Sequence, residues 1–238
     1  RIGSNTLVKQ AIEQTRGEVL TYNGEICDAR FSKSCGGATE LFENCWADEH
    51  YDYLTAISDT STDILPDLTI EENAEKFIKS SPTSFCNTND KAILSQVLNN
   101  YDQETADFYR WRVHYTNNEL SALIQKKSGI DFGKIIDLIP LKRGTSARIV
   151  RLKIVGTKRT LEVGKELEIR KWLSESHLYS SAFVVEKDTN NNFTLIGAGW
   201  GHGVGLCQIG AAVMAHQGYD YKSILQHYFR GAKVEKRW

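Results

Sequence analysis

The sequence feature that most constrains the fold is a run in which glycine occupies every second position. From residue 197 to residue 205 the chain reads Gly-Ala-Gly-Trp-Gly-His-Gly-Val-Gly, and we call this segment the glycine loop. Such spacing weakens a strand, because each glycine loses much backbone entropy on folding and offers no side chain to pack. The run is tolerable where a ligand or another stretch of backbone comes very close. It is therefore the first candidate functional segment.

A helix is predicted directly after the glycine loop, from about Cys207 to Gln217. The free N–H groups at its start carry partial positive charge, which suits a carboxylate or an acetamido oxygen. His202 is the one titratable side chain within the loop. A nucleotide site is disfavoured, because no GxGxxG register fits and no Lys-Ser or Lys-Thr follows. The structural alternative is a glycine-rich turn in which His202 bonds to backbone.

A second segment of small residues lies near the start of the chain. Residues 34–40 read Ser-Cys-Gly-Gly-Ala-Thr-Glu, and we call them the SCGG loop. Paired glycines let a polymer lie against backbone, while Ser34, Thr39 and Glu40 offer hydrogen bonds. The alternative is a tight turn with Glu40 in solvent. Trp46 and Trp200 are candidates for stacking on sugar rings, although buried tryptophan is the default expectation.

Composition limits the class of protein. The chain has 238 residues, 41% of them hydrophobic and 25% charged, which fits one globular domain or one domain in two lobes. A net charge of −1 removes the electrostatic case for a general nucleic-acid or anionic-membrane binder. Because the chain begins at Arg1 and holds one methionine, we expect a processed or truncated product whose targeting segment has been removed.

Five cysteines permit several interpretations. Their odd number and the absence of a CxxC pair exclude a complete disulfide framework, although one or two bridges remain open. A zinc site lacks the usual spacing but stays an alternative; its ligands would be Cys27, Cys35, Cys45 and His50. A Cys-His hydrolase would pair Cys35 or Cys207 with His202, and a helix start would lower the pKa of Cys207. Buried thiols are the ordinary outcome.

Local patterns predict an α+β fold. Asn23-Gly24 predicts a hairpin between residues 18–22 and 25–32. Thr116 and Glu119 form a capping-box pattern that opens a helix ending at Gly129. Strands are expected near residues 111–115, 150–154 and 160–163, with a hairpin joining 182–186 to 193–196 and a last helix over 221–229. Strands grouped in local hairpins, without a regular βαβ rhythm, favour α+β.

Residues 59–107 differ in composition from the rest. They are acidic and rich in amides around two helical stretches, 71–79 and 91–99. We interpret this segment as a peripheral helical insertion.

Several stretches, in their order along the chain, resemble the stage II sporulation protein D (SpoIID) family, which includes the amidase-enhancer LytB proteins. The stretches are 11–40, 53–59, 176–185 and 197–229. The Gly-His-Gly-Val-Gly motif with the following Gln-x-Gly-Ala is the most specific part, and the Cys-Gly-Gly segment is less so. The resemblance covers residues 1–238 with 59–107 as an extra or divergent segment.

The resemblance implies a strand-rich, two-lobed domain with a glycan-binding cleft. It also implies a peptidoglycan lytic transglycosylase, which cleaves the bond from N-acetylmuramic acid to N-acetylglucosamine and leaves a 1,6-anhydro product. Such an enzyme needs no cofactor and no metal. The expected partners are glycan strands and, in the enhancer branch, a cell-wall amidase. The expected location is the cell envelope, after export, with an anchor that would precede Arg1. The alternative is a non-catalytic glycan-binding amidase enhancer.

The family's catalytic glutamate cannot be carried over. It lies on a helix with an EALKAQAVAARTY-like pattern, which these residues lack. We therefore assign the general acid to none of Glu13, Glu18 and Glu40, and expect this segment alone to be inactive. Positions that match the family's cleft motifs are expected to bind substrate: Ser34, Cys35, Gly36, Gly37, Glu40, His202, Gly203, Gly205 and Gln208. Ser146-Ala147-Arg148 resembles a Ser-Gly-Arg motif without its glycine, and Cys207 stands where serine is more usual.

Overall fold

The computed structural model describes residues 6–62, 64–97 and 107–238. The helices are α1 (Thr6–Gln14), α2 (Glu71–Lys79), α3 (Lys91–Val97), α4 (Asn117–Ser128), α5 (Glu166–Trp172), α6 (Gln208–His216) and α7 (Tyr221–Tyr228). The strands are β1 (Glu18–Tyr22), β2 (Glu25–Ile26), β3 (Phe31–Ser32), β4 (Arg110–Tyr115), β5 (Ile135–Arg143), β6 (Ile149–Gly156), β7 (Thr160–Val163), β8 (Phe183–Lys187), β9 (Phe193–Ala198), β10 (Leu206–Cys207) and β11 (Lys233–Lys236). The α+β class is confirmed.

Local signals explain where several of these elements begin and end. Asn23 and Gly24 have φ values of 50° and 88°, which a type I′ hairpin turn requires, and they join β1 to β2. The Thr116 side chain accepts from the Glu119 N–H, and the Glu119 carboxylate accepts from the Thr116 N–H, so the capping box that opens α4 is complete. Gly129 ends α4 with φ 73°.

The strands form small sheets in place of one large sheet. The orders are β11-β1-β2, β4-β9-β8 and β5-β6-β7, with antiparallel neighbours throughout. A separate parallel pair joins β3 to β10, with Phe31 opposite Leu206 and Ser32 opposite Cys207. This pair flanks the two small-residue loops, since β3 leads into the SCGG loop and β10 follows the glycine loop. The sequence predicted β3 only as part of a longer hairpin strand.

Buried apolar side chains form two large clusters and a smaller one. The first large cluster draws on both ends of the chain, for example Leu54 and Phe229. The second lies under β5, β6, β8 and β9 and includes Phe183. The small cluster contains Ala38 of the SCGG loop and Ala198 of the glycine loop. The segments that carry the two loops therefore share buried contacts.

The segment 59–107 contributes to these clusters where the structure describes it. Phe77 on α2 is buried in the small cluster, and Cys86 and Leu94 are buried in the first large one. The helix predicted for 91–99 is α3 as far as Val97, while residues 98 and 99 lie outside the described residues. The description of the segment 59–107 as a peripheral helical insertion stays a prediction.

Four elements, β5, α5, β10 and β11, were absent from the sequence prediction; Cys207, which ends β10, was expected to begin the helix. β5 contains Pro140 and pairs with β6 through irregular register, so its pattern does not alternate regularly. α5 has seven residues and no side-chain cap at Lys165. β11 is a polar edge strand whose partner, β1, is more than 200 residues distant in sequence. Among the described residues, no helix has the length and apolarity to cross a membrane.

Candidate functional site

Backbone hydrogen bonds join the SCGG loop to the glycine loop. Ser34 and Trp200 exchange two of them, with N···O distances of 3.1 and 2.7 Å. The Glu40 N–H donates to the Gly203 carbonyl at 3.0 Å. The β3–β10 pair continues this contact on the far side of the glycine loop. Two segments separated by more than 150 residues thus form one structural unit, which we call the joined loops.

The glycines allow this approach of backbone to backbone. A Cβ at Gly36 would lie 2.7 Å from the Gly199 nitrogen, and one at Gly199 would lie 2.9 Å from the Cys35 carbonyl carbon. Gly36 and Gly199 also have φ of +80° and +75°, which L side chains rarely adopt. Gly203 leaves room for a guanidinium, because its Cβ would lie 2.5 Å from the Arg148 Cζ. At these positions the close neighbour is the protein itself.

Glu40 lies at the centre of the joined loops and is fully buried, with 0% of its surface exposed. Its Oε1 accepts from the Leu41 N–H, the Asn44 amide and both the N–H and hydroxyl of Thr145, at 2.8 to 3.0 Å. Its Oε2 accepts from the N–H and hydroxyl of Ser146 at 3.1 and 2.6 Å. The alternative of a tight turn with Glu40 in solvent is wrong. Every lone pair that a substrate would use is occupied.

Arg148 is the second buried charge in the joined loops. Its guanidinium donates to the carbonyl of Gly201 at 3.0 and 3.1 Å and to that of Cys35 at 3.2 Å. It also donates to the Ser146 hydroxyl at 2.9 Å, and that hydroxyl donates to Glu40. Arg148 therefore ties both loops to Glu40 through one hydroxyl. Ala147, at φ +64°, adopts the conformation that a glycine would take in a Ser-Gly-Arg motif.

His202 is a neutral histidine held between backbone and an aromatic ring. Its Nδ1 accepts from the Val204 N–H at 3.0 Å, and its ring meets the Trp46 ring edge-on at 4.6 Å between centroids. Burial, together with the nearby positive charges of Arg148 and Arg170, lowers the pKa of His202 to about 3. A group with that pKa is not a proton donor near neutral pH. His202 is suited to hydrogen bonding and packing.

This pKa predicts a specific pH dependence of stability. The unfolded chain binds a proton near the ordinary pKa of 6.5, whereas the folded chain does so only near 3, so stability rises with pH between these values and is fully present above 6.5. We expect the free energy of unfolding to fall by about 2 kcal/mol more in the parent chain than in His202→Gln between pH 7.5 and pH 5. Urea unfolding of both proteins at the two pH values measures this difference in the loss of unfolding free energy. Equal losses in the two proteins would contradict the assigned pKa.

The thiols do not form the pairs expected from the sequence. The Cys207 sulfur accepts from the Cys35 N–H at 3.2 Å, and the Cys35 sulfur lies 3.6 Å from that of Cys86. The Cys45 thiol donates to the backbone carbonyl of His202 at 3.5 Å, and no thiol of the described residues bonds to the ring of that histidine. Burial raises the pKa of Cys207, against the expected lowering at a helix start.

The zinc set considered from the sequence is not assembled in the described residues. His50 is exposed and binds Glu43, with Nδ1 2.8 Å from Oε1. Cys35 belongs instead to a different group, which contains Asp59, Cys86 and Cys207. The sequence missed this group because its members have no ligand spacing.

Partly exposed aromatic and cationic side chains surround the joined loops. Trp200 packs on Tyr179 and Phe108 at 4.3 and 4.8 Å between ring centroids, and the Lys33 ammonium lies 5.0 Å from its ring. The Arg30 guanidinium lies 4.4 Å from the Trp46 ring. We define the loop face as the partly exposed side chains of these loops and their flanks: Arg30, Lys33, Trp46, Tyr179, Trp200 and His202. Of these, the sequence pattern indicated only the two tryptophans and the histidine.

The residues predicted to bind substrate thus divide by position. The buried ones form the interior of the joined loops: Ser34, Cys35, Gly36, Gly37, Glu40, Gly203 and Gly205. His202 and Gln208, the first residue of α6, are partly exposed. All of them belong to one region of the fold. Their contact with a glycan stays a prediction.

Comparison with known proteins places the chain in a family. Residues 40–205 match a family model described as a domain of unknown function, DUF8618. The chain is 29% identical over 244 residues to the amidase enhancer of Bacillus subtilis (strain 168), covering 97% of this chain and 33% of that protein. It is 22% identical over 229 residues to stage II sporulation protein D of the same organism, covering 96% and 51%. The chain belongs to the DUF8618 family, and these relatives identify it as a SpoIID/LytB-family chain.

A third relative is an uncharacterized protein of Brachyspira hyodysenteriae (strain ATCC 49526 / WA1), 27% identical over 230 residues, which cover 97% of this chain and 49% of that protein. The chain therefore spans between a third and about half of the length of these relatives. The DUF8618 match begins at Glu40, the last residue of the SCGG loop, and ends at Gly205, the last residue of the glycine loop.

Proposed function

We propose that this SpoIID/LytB-family chain is the glycan-binding part of a cell-wall protein that acts outside the cytoplasm as a peptidoglycan lytic transglycosylase. The observation that carries the proposal is the loop face, where two partly exposed tryptophans and two cations surround backbone that is rigidly joined. Relatives named stage II sporulation protein D and amidase enhancer support the cell wall as the place of action.

The chemistry of the loop face suits a stripped glycan strand. Indole rings pack on the apolar faces of sugar rings, as Trp46 and Trp200 would do. Removal of the stem peptide leaves a lactyl carboxylate on each muramic acid. The cations of the loop face that would attract it are Lys33 and Arg30, of which Arg30 already pairs with the Asp28 carboxylate at 2.8 Å. His202, held neutral by its surroundings, keeps its hydrogen bonds to the backbone of Val204 and Phe31 over the whole physiological pH range, so it would meet the glycan through packing. The glycan would lie across Trp46 and Trp200 with its carboxylates toward the two cations.

The proposed reaction needs one carboxyl group. A carboxylic acid protonates the glycosidic oxygen as the bond to the muramic acid C1 breaks, and the resulting carboxylate takes the proton from the C6 hydroxyl. The C6 oxygen then bonds to C1, so the acid is regenerated and the product is a 1,6-anhydro ring. Glu40 does not fit this role, because its carboxylate already accepts six hydrogen bonds and is buried. The general acid would come from a part of the protein other than the joined loops.

Loss of an indole from the loop face is expected to weaken glycan binding. Trp200→Leu keeps an apolar side chain over Phe108 but removes the flat ring. We expect about tenfold weaker binding of peptide-stripped glycan, equivalent to about 1.4 kcal/mol, which is in the range of one aromatic stacking contact. The control is Trp172→Leu, which changes a partly buried tryptophan packed against Phe132 in the second cluster. Equal affinities of the two variants for pelleted glycan strands would contradict the assignment.

The catalytic part of the proposal is tested with the full-length protein. Peptide-stripped glycan is incubated with the full-length protein or with this chain alone, and the products are analysed by mass spectrometry. We expect 1,6-anhydro-muramic ends with the full-length protein and none with the chain. Absence of anhydro ends in both reactions, while glycan is still bound, would overturn the transglycosylase proposal.

Glycan binding without anhydro ends in either reaction would favour a non-catalytic amidase enhancer. One observation supports this alternative. The Glu40 carboxylate already accepts hydrogen bonds from the protein's own donors, so the joined loops would bind glycan without supplying a general acid. The two functions are separated by adding a purified cell-wall amidase to intact cell walls. Stimulation of peptide release without anhydro products identifies an enhancer, and an amidase would then be the partner.

A further inference from the structure

Three thiols and one carboxylate converge beneath the joined loops. They belong to Cys35, Asp59, Cys86 and Cys207, all four residues are buried, and one candidate ligand atom from each lies within 4.8 Å of the others. They come from the SCGG loop, from the stretch before α2, from the stretch before α3 and from the residue that precedes α6. Cys35 is among the residues predicted to bind substrate, but the loop face includes none of these four side chains. We call them the thiol cluster.

One edge of the thiol cluster has the length expected in a tetrahedral zinc site, and the other candidate ligand atoms lie within 4.8 Å of one another. Zinc–sulfur bonds of about 2.3 Å place two thiolates of one tetrahedron about 3.8 Å apart. The sulfurs of Cys35 and Cys86 are 3.6 Å apart, close to that edge. Three sulfurs and one oxygen make a four-coordinate set without an open position, and such closed sets are typical of structural zinc. The thiolates favour zinc over magnesium or calcium, which prefer oxygen ligands.

Hydrogen bonds around the cluster orient the candidate ligands. The Tyr228 hydroxyl donates to the Asp59 Oδ1 at 2.6 Å, and the Ser84 hydroxyl and Cys86 N–H donate to its Oδ2 at 3.0 Å each. The Cys35 N–H donates to the Cys207 sulfur at 3.2 Å. Ligands of metal sites are commonly fixed by such outer hydrogen bonds.

Nearby positive charge offsets the negative charge that a Cys₃Asp zinc site would carry. The guanidinium of Arg148 donates to the carbonyl of Cys35 at 3.2 Å, and that of Arg110 donates to the carbonyl of Gly36 at 2.9 Å. Both guanidinium groups therefore bind the backbone next to Cys35, which supplies one of the three thiols. Gly210 leaves space for the carboxylate, since a Cβ there would lie 2.8 Å from the Asp59 Oδ1.

From this geometry we propose that Cys35, Cys86, Cys207 and Asp59 bind a structural Zn²⁺ ion that fastens the SCGG loop to the start of α6. Binding converts three thiols to thiolates and releases up to three protons. The ion ties together segments that are otherwise held by hydrogen bonds and apolar contacts. It lies under the loop face and supports it without touching the glycan. Zinc binding is therefore independent of the proposed glycan-binding function.

The test is the zinc content of the chain, purified under reducing conditions without chelator and reconstituted with equimolar Zn²⁺. We expect one Zn²⁺ per chain by elemental mass spectrometry, and a tetrahedral thiolate spectrum after replacement by Co²⁺. Cys207→Ser and Asp59→Asn should lose most of the metal or bind it far more weakly. The matched control, Cys45→Ser, removes a buried thiol outside the cluster and should keep one equivalent.

Two further measurements use the parent chain, so they test zinc binding even if a variant fails to fold. A chelator should lower the melting temperature of the parent chain, and added Zn²⁺ should restore it. Mass spectrometry of the alkylated, denatured parent chain should find free thiols at Cys35 and Cys86. A folded parent chain that takes up no Zn²⁺, a Cys207→Ser protein that binds it as the parent does, or a Cys35–Cys86 disulfide would overturn the proposal.

Discussion

Glu40→Gln is expected to lower the free energy of unfolding by about 3 to 5 kcal/mol, the range found when one partner of a buried charged network is removed. The carboxylate accepts from two hydroxyls, three backbone N–H groups and one amide, and it is fully buried. The substituted amide group would place two N–H donors against donors of Ser146 or Thr145. Arg148 would also lose the carboxylate beyond the Ser146 hydroxyl. Urea unfolding followed by tryptophan fluorescence measures the change.

Glu25→Gln is the matched control for Glu40→Gln. Glu25 is exposed on the short strand β2, where the same change in charge meets no buried donor. We expect its effect to stay within about 0.5 kcal/mol, as for most surface substitutions. A Glu40→Gln protein as stable as Glu25→Gln would show that the buried carboxylate does not hold the joined loops together.

Gly36→Ala is expected to destabilise the chain by about 2 to 5 kcal/mol. The new Cβ would lie 2.7 Å from the Gly199 nitrogen and 2.9 Å from the Ala198 carbonyl carbon. These are backbone atoms, so relief requires the two loops to separate. An alanine at φ +80° also costs about 1 to 2 kcal/mol, and overpacking adds about 1 to 3 kcal/mol. The melting temperature and the urea midpoint report the loss.

Gly24→Ala separates the two contributions. Gly24 has φ +88°, but a Cβ there would meet nothing within 4 Å. We expect only the conformational cost of about 1 to 2 kcal/mol. If both variants lose the same stability, the close approach of the two loops does not contribute to the cost of Gly36→Ala, and the steric explanation of that glycine is wrong.

Local signals in the sequence predicted much of the secondary structure. Asn23-Gly24 and the Thr116 capping box each specify a backbone conformation through neighbouring residues, and both are present. By contrast, β11 depends on a partner more than 200 residues away, and its own polar residues give no strand pattern. Pro140 within β5 obscures that strand, because proline removes a ladder donor.

The sequence was less informative about the candidate site. It identified both small-residue loops and the need for a close neighbour, but it could not decide between a ligand and another backbone. The glycine spacing is the same in either case, and only the fold shows Gly36 against Gly199. The burial of Glu40 was missed because its donors, Thr145 and Ser146, lie more than 100 residues away. The thiol cluster was missed for the same reason, since its four residues converge only in the folded chain.

The most direct test of the central claim is to locate a bound glycan on the chain. Peptide-stripped glycan oligomers are titrated into ¹⁵N-labelled protein, and the indole N–H resonances are followed by NMR. We predict that the signals of Trp46 and Trp200 shift with a common dissociation constant, while that of Trp172, which donates to Glu168, stays unchanged. If only resonances far from the joined loops move, or if none moves at saturating glycan, the loop face does not bind the cell-wall glycan.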